Sequence, residues 1–341
     1  MIRRIAFAAR RRVRAFLNHG IILIYHRVAN LKSDPQLLAV APDRFEEQMD
    51  ILKRYFSPIS LSELTSNLVN GKKKKGSVAI TFDDGYADSC LEAKSILEKF
   101  EIPATIFVLT SFIGSTKELW WDDLERLVLL KQSLPSKIRI EIKGEKLEWN
   151  LASSSESNGS ESDLWNVESP EYPSERQKMY RTLFQYMRNL STNERSEVLS
   201  QLATIAQLPS ERRETHRGLS KNELISLSQS DLIQIGAHTE THPVLSALDR
   251  KQQEYEIAGS KRELEETINR PVTSFAYPYG LSSDYNQTSI DLVKHYGFQR
   301  ACSNYPGALN PKIDLFQLPR FIMRNYSGQE FQEKLHECFT F

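Results

Sequence analysis

The sequence predicts an α/β protein built on parallel strands. Short runs of β-branched and aromatic residues alternate with segments of helical periodicity along most of the chain. The runs VAITF and ATIFV flank a helix expected from about residue 88 to 100, and such a strand–helix–strand crossover requires the two strands to be parallel. The same alternation returns after residue 218 and favours a parallel barrel or a doubly wound sheet.

Composition narrows the range of functions. The 341 residues are 40% hydrophobic and 26% charged, as is typical of a folded globular chain. The 44 basic and 44 acidic residues balance, which argues against nucleic acid as a partner. The longest apolar run, Ile21–Tyr25, has the length of a strand and not of a membrane span. Three cysteines without CxxC spacing argue against a disulfide framework. A soluble enzyme or binding protein is expected.

The first half of the chain carries clear element signals. IILIYHRV, starting at Ile21, is predicted to be a buried strand. Two helices are predicted between residues 41 and 68, with Asp43 and Ser62 as their N-caps. VAITFDDGY is predicted to be a strand that ends at its acidic pair, and ATIFVLTSF after Pro103 is predicted to be the next strand.

The middle of the chain breaks the alternation. WWDDLERLVLL and the later pair ERQKMYRTLFQYMRNL and NERSEVLSQLATIA are predicted to be helices. Between them, residues 141–175 are strongly acidic and include the Ser-rich run 153–162, so an exposed loop is expected. The expected domains are therefore a barrel made of residues 21–114 and 218–326, an insertion at 115–217, and a closing helix at 327–341.

Residues 1–20 are predicted to form a basic amphipathic helix. The first 17 residues contain six arginines and no acid, with apolar residues at roughly helical spacing. Arginines interrupt the apolar segment that a secretory signal needs. One interpretation is a helix lying on an anionic membrane surface, and the other is a solvated helix packed on its own barrel. We expect a cytoplasmic protein, with the inner face of the membrane as an alternative location.

Polar side chains follow several of the predicted strands. They are His26, the pair Asp83–Asp84, the pair His238 and His242, and the YPYG turn. In a parallel α/β protein, reactive groups lie at the carboxyl ends of strands, so these groups are expected to meet. Their types are those that bind metals and move protons.

The histidine pair and the aspartate pair together predict metal binding and proton transfer. His238 and His242 are four residues apart, a spacing that places two imidazoles on one side of a helical turn. Two imidazoles and one carboxylate make an open zinc-type site with room for water. Adjacent strand residues point to opposite sides, so one of Asp83 and Asp84 can bind the metal while the other accepts a proton. DDG lacks the alternating acids of an EF-hand loop.

Three motifs in order carry a family resemblance. TFDDGY, GAHTETH and FAYPYG resemble the polysaccharide deacetylases of the NodB-homology type, carbohydrate esterase family four. The resemblance covers about residues 21–114 and 218–323, and implies an irregular parallel (β/α) barrel of about seven strands. It implies Asp83 as general base. It also implies a Zn²⁺ ion, or a similar divalent ion such as Co²⁺ or Ni²⁺, bound by Asp84, His238 and His242.

The resemblance also assigns the remaining site residues. It implies that the backbone N–H of Tyr279 donates to the oxyanion and that Pro278 fixes this substrate-binding turn. Two positions depart from the family pattern. Ala276 stands where many members carry an arginine, and Arg320 in LFQLPRF stands where the general-acid histidine is usual. Arg320 is expected to restore a charge beside Asp83.

LIYHRV resembles the YH motif of the poly-N-acetylglucosamine deacetylases, which implies that His26 supplies the acid; the alternative is a buried structural histidine. The expected function is metal-dependent removal of N-acetyl, or secondarily O-acetyl, groups from an amino sugar in a polysaccharide or glycolipid. Two alternatives stay open: a deformylase or deacetylase of a lipid-linked sugar precursor, and a non-catalytic carbohydrate-binding member of the family.

Overall fold

The computed structural model describes residues 19–130, 134–151, 165–208 and 212–341. The predicted N-terminal helix, except for its last two positions, and the Ser-rich run 153–162 lie outside these ranges. No helix within the described ranges is both long enough and apolar enough to cross a membrane.

The elements follow one another in a regular α/β order. The strands are β1 (Ile21–Tyr25), β2 (Arg27–Val28), β3 (Ala39–Val40), β4 (Ser57–Pro58), β5 (Ser77–Phe82), β6 (Ala104–Val108), β7 (Lys137–Ile142), β8 (Glu145–Asn150), β9 (Ile233–Ala237), β10 (Ser274–Ala276), β11 (Arg300–Cys302) and β12 (Phe321–Ile322). The helices are α1 (Pro42–Tyr55), α2 (Leu61–Val69), α3 (Lys94–Phe100), α4 (Trp120–Val128), α5 (Glu175–Arg188), α6 (Thr192–Ala206), α7 (Lys221–Ser228), α8 (Arg250–Ile268), α9 (Gln287–His295) and α10 (Gly328–Thr340). A π-helical turn, Ser89–Ala93, precedes α3.

The chain divides into two compact units. The first contains the described residues up to Asn30, together with Leu38–Ile113 and Leu219–Phe341. The second contains Leu31–Leu37 and the described part of Gly114–Gly218.

The first unit is organised around one parallel sheet. Its strands follow the order β11-β10-β9-β6-β5-β1-β12, and β4 pairs with β5. β1 and β5 are buried along their whole length, because side chains on both faces of the sheet are covered. Alternate residues enter different parts of the core: Ile22 packs in one apolar cluster and its neighbours Ile21 and Leu23 in the other. This sheet has the predicted α/β class and parallel direction.

The helix starts differ from prediction at two caps. Asp43 is not a cap: α1 starts at Pro42 after Ala41, because proline fits the first helical position, where its missing N–H costs nothing. The cap of α2 is Ser60 and not Ser62, since the Ser60 hydroxyl accepts a hydrogen bond from the backbone N–H of Glu63.

The second unit contains helices α4, α5 and α6 and the hairpin β7–β8. The hairpin corrects the expectation of a loop starting at residue 141, because residues 141–142 and 145–150 are extended and paired. Exposed and buried side chains alternate along β7. Lys143 and Gly144 both have positive φ, 53° and 80°, as a two-residue hairpin turn requires.

Candidate active site

The predicted site residues of the first unit lie next to strand termini, and all but Arg320 follow a strand. Asp83 and Asp84 follow β5, His26 follows β1, and His238 follows β9. Pro278 and Tyr279 come two and three residues after β10, and Arg320 directly precedes β12. Since β1, β5, β9 and β10 belong to one parallel sheet, their carboxyl ends lie at one edge.

Asp83 forms a buried, bidentate ion pair with Arg320. The Arg320 Nη1 and Nη2 atoms each lie 2.7 Å from one carboxylate oxygen of Asp83. The same guanidinium donates from Nε to the backbone oxygen of Ser303 at 2.8 Å and from Nη1 to the Thr81 hydroxyl at 3.2 Å. This bidentate geometry fixes the carboxylate in direction as well as in charge.

The ion pair also sets the ionisation of Asp83. Burial alone would raise the pKa of the Asp83 carboxyl, but the charges of Arg320 and His238 outweigh it and hold that pKa below its ordinary value. Asp83 is therefore ionised at neutral pH and can accept a proton.

Asp84 and the two histidines converge on one point. The Nε2 atoms of His238 and His242 each lie 3.6 Å from Oδ1 of Asp84. One ligand atom from each of the three buried side chains lies within 4.8 Å of the others. Nδ1 of His238 lies 2.8 Å from the backbone oxygen of Ala276, so Nδ1 carries a proton and Nε2 is the ring nitrogen that faces Asp84. A carboxylate and two imidazoles fit a divalent metal site with open positions.

The two histidines lie on an irregular loop and not on the helical turn that their spacing suggested. Thr239 and His242 have φ of 69° and 57°, in the left-handed region that interrupts a right-handed turn. Asp84 and Tyr279 also have positive φ, 72° and 59°. Such conformations are unfavourable for non-glycine residues and concentrate at functional sites.

The turn at Pro278 and Tyr279 is held by backbone hydrogen bonds. Gly280 N–H donates to the Pro278 oxygen at 2.6 Å, and Gly280 O accepts from Asn304 N at 2.8 Å. The Tyr279 ring packs edge-on against His242, with centroids 4.6 Å apart. The turn therefore lies beside His242, as expected of groups that follow parallel strands.

His26 is partly exposed after a fully buried strand. Burial lowers the pKa of its imidazole, and Arg320 and Arg324 lower it further, against the opposing effect of Asp84 and Asp83. These four charges place His26 in the electrostatic environment of the site. Among the described residues His26 has no hydrogen-bond partner for its ring, and its function as acid stays a prediction.

Sequence reasoning missed an ion pair next to His26. Arg27 donates from Nε to Asp88 at 2.9 Å, and the Val28 N–H donates to the other oxygen of Asp88 at 3.2 Å. The Arg27 guanidinium also lies over the Tyr86 ring, 4.3 Å from its centroid. This pair ties the segment after β1 to the segment after β5. Asp88, a polar residue shortly after DDG, was the sequence signal that could have indicated this pair.

A second group of potential ligands lies in the other unit. Asp122, Glu125 and His216 are buried and offer ligand atoms within 4.8 Å of one another. His216 is the last residue of a 3₁₀ turn, Glu214–His216, and its side chain is buried. Arg213 binds Glu125 at 2.9 Å and also binds Glu118 at 2.7 Å, so a fixed cation already lies in this group.

Comparisons with known proteins identify the family and the fold of this chain. A family model described as Polysaccharide deacetylase matches residues 70–130 and 175–301, more than half of the chain. A poly-β-1,6-N-acetyl-D-glucosamine N-deacetylase of Staphylococcus epidermidis is 35% identical over 114 residues, 29% of this chain and 39% of that protein. A protein of the same name from Staphylococcus aureus is 33% identical over 110 residues, 28% of this chain and 38% of that protein. The matched segments span 37% to 39% of the lengths of the first curated relatives.

Solved structures share the fold at low sequence identity. IcaB from Ammonifex degensii superposes with a TM-score of 0.58 at 15% identity, covering 94% of this chain and 97% of that chain. The Streptococcus pyogenes deacetylase PplD superposes with a TM-score of 0.56 at 17% identity, covering 92% and 97%. The predicted barrel class is confirmed by these likenesses.

Proposed function

Because this chain belongs to the polysaccharide deacetylase family, we propose that it is a metal-dependent hydrolase that removes N-acetyl groups from an amino sugar of a polysaccharide or glycolipid. One observation carries the proposal. A carboxylate kept ionised by a bidentate arginine, Asp83, stands next to a second carboxylate and two imidazoles that converge on one point. A base beside an open metal site is an arrangement that can hydrolyse an unactivated amide.

The chain offers a distinct group for each step of amide hydrolysis. Asp83 accepts a proton from the attacking water as the new carbon–oxygen bond forms. The backbone N–H of Tyr279 donates to the acyl oxygen as negative charge develops there. His26 gives a proton to the sugar nitrogen as the carbon–nitrogen bond breaks, which releases acetate and a free amine. Arg320 keeps Asp83 oriented and ionised throughout.

Asp84, His238 and His242 would hold the metal. A bound Zn²⁺, Co²⁺ or Ni²⁺ ion lowers the pKa of a water and polarises the acyl oxygen. The Nδ1–H of His238 is directed at the Ala276 oxygen, which leaves Nε2 as the ring nitrogen that would coordinate the metal.

The proposed substrate is an N-acetylated amino-sugar oligomer, and β-1,6-linked N-acetylglucosamine is the first to test because relatives carry that name. The assay measures acetate release by the zinc- or cobalt-loaded protein, with Asp83→Asn as the inactive control. Release by wild type alone supports the proposal. Glycan binding without acetate release from any N-acetylated oligomer would favour the non-catalytic alternative.

A further inference from the structure

Residues 238–242, here called the histidine loop, carry two of the three proposed metal ligands in an unusual conformation. Thr239 and His242 both have positive φ, and neither is a glycine. A β-branched residue such as Thr239 is especially disfavoured there. Contacts from outside the loop must therefore hold it, and its backbone hydrogen bonds show which contacts do so.

The carbonyl groups of the histidine loop are held from β6 and its extension. The Thr239 oxygen accepts from Thr110 N at 3.3 Å, and the Glu240 oxygen accepts from Ser111 N at 3.0 Å. At the start of the loop, His238 N donates to Val108 O at 3.1 Å. One side of the loop is thus fixed by backbone groups, which no side-chain substitution removes.

Within the loop, His242 N donates to the Thr239 hydroxyl at 3.1 Å. The amide groups of Glu240 and Thr241 are held by a single side chain, Glu256 of α8. Oε2 of Glu256 accepts from Glu240 N at 2.9 Å and from Thr241 N at 2.8 Å. Oε1 accepts from the Thr241 hydroxyl at 2.5 Å. Three donors of two adjacent loop residues therefore converge on one carboxylate.

Glu256 carries a buried carboxylate whose partners are the loop donors. It is only 6% exposed, and burying an acidic side chain is costly unless its charge is compensated by hydrogen bonds. The three loop donors supply that compensation, and charge-assisted hydrogen bonds are stronger than neutral ones. The buried carboxylate of Glu256 therefore contacts the one segment that carries both imidazoles.

We infer that Glu256 is a positioning residue for the metal site, and that it holds the histidine loop in the conformation that directs His238 and His242 at Asp84. The inference rests on the proposed function, because it concerns affinity for the proposed metal. Groups that orient the ligands of a metal typically change its affinity by about 10- to 100-fold when they are removed.

The test measures Zn²⁺ and Co²⁺ affinity by competition with a chromophoric chelator. Glu256→Gln keeps the size of the side chain but removes its charge and turns an NH₂ group toward N–H donors. We expect about 10- to 100-fold weaker binding, with the far-UV circular dichroism of the metal-free protein unchanged. Glu266→Gln is the matched control, since Glu266 lies exposed on the same helix; it should bind metal as wild type does.

A second variant keeps the test decisive if Glu256→Gln fails to fold. Thr241→Val removes only the hydroxyl that donates to Oε1, and a several-fold loss of affinity is expected. Where both variants fold, their effects should be non-additive, because both act through one contact.

Three outcomes overturn the inference. Wild-type affinity in Glu256→Gln contradicts it while leaving the proposed function intact. If Glu256→Gln fails to fold, wild-type metal affinity in Thr241→Val contradicts the inference and leaves the proposed function intact. Absence of metal uptake by the wild-type protein defeats the proposed function and this inference together.

Discussion

Two buried clusters of carboxylates and histidine invite comparison. Asp84, His238 and His242 in the first unit and Asp122, Glu125 and His216 in the second both bring three potential ligand atoms within 4.8 Å. They differ in which carboxylate the buried arginine binds. In the first, Arg320 binds the neighbouring Asp83, which leaves Asp84 to the imidazoles. In the second, Arg213 binds Glu125 itself.

The histidines of the two clusters also differ, in what their ring nitrogens face. His238 directs Nδ1 at a backbone oxygen and turns Nε2 toward a carboxylate 3.6 Å away. His216 places Nδ1 2.9 Å from the Thr215 hydroxyl, and its Nε2 is 4.0 Å from an oxygen of Glu125 that already binds Arg213. Residue types alone do not define a metal site; the position of the nearest permanent cation separates a candidate site from an internal ion-pair network.

The largest expected effect in this comparison is on activity, at Asp83. Asp83→Asn removes the proposed base but none of the three proposed metal ligands, so acetate release should fall by about 10²- to 10⁴-fold. Metal content should stay that of wild type, which equilibrium dialysis with zinc would check. Retained activity would remove Asp83 from the mechanism.

The next effect concerns His26. His26→Asn keeps a polar side chain after β1 but cannot donate the proton that the leaving amine needs, so kcat should fall by about 10²-fold with metal affinity unchanged. Steady-state kinetics on an amino-sugar oligomer would measure this. Unchanged kcat with intact metal binding would restore the interpretation of His26 as a structural histidine.

Arg320 should affect both stability and pH dependence. Arg320→Met leaves Asp83 buried without its cation, which is expected to destabilise the fold by about 3–5 kcal/mol. Because Arg320 lowers the pKa of Asp83, its loss raises that pKa. The base must be ionised, so the acid limb of kcat against pH should move to higher pH. If the acid limb stays at the wild-type pH in a folded variant, Arg320 does not control the ionisation of Asp83.

The smallest effect on function is expected in the second cluster. Arg213→Met leaves Glu118 and Glu125 buried without their cation, and a destabilisation of about 3–5 kcal/mol should appear in chemical denaturation. Metal content of the folded protein should not change. A loss of metal here would mean that the two clusters had been assigned the wrong way round.

Sequence reasoning went furthest where a local pattern determines the structure. Fully apolar runs such as Ile21–Tyr25 became buried parallel strands, because a sheet covered on both faces needs them. The hairpin at residues 137–150 was missed because an acidic composition outweighed the alternation in KIRIEI and the KG turn.

The site itself depended on contacts that no local pattern reveals. Arg320 and Asp83 are 237 residues apart, and only the family resemblance suggested that they pair. Glu256 lies on a helix whose sequence shows ordinary helical periodicity, so nothing marks its inward carboxylate. Spacing suggested a helical turn for His238 and His242, but tertiary hydrogen bonds impose the left-handed conformations instead.

The central claim is that the first cluster binds a catalytic metal and the second does not. The most direct measurement is metal stoichiometry of purified wild type, Asp84→Ala, His238→Ala and Asp122→Ala after loading with zinc. The account predicts about one ion per chain in wild type and in Asp122→Ala, and loss of that ion in the other two. No uptake by wild type, or loss confined to Asp122→Ala, would contradict it.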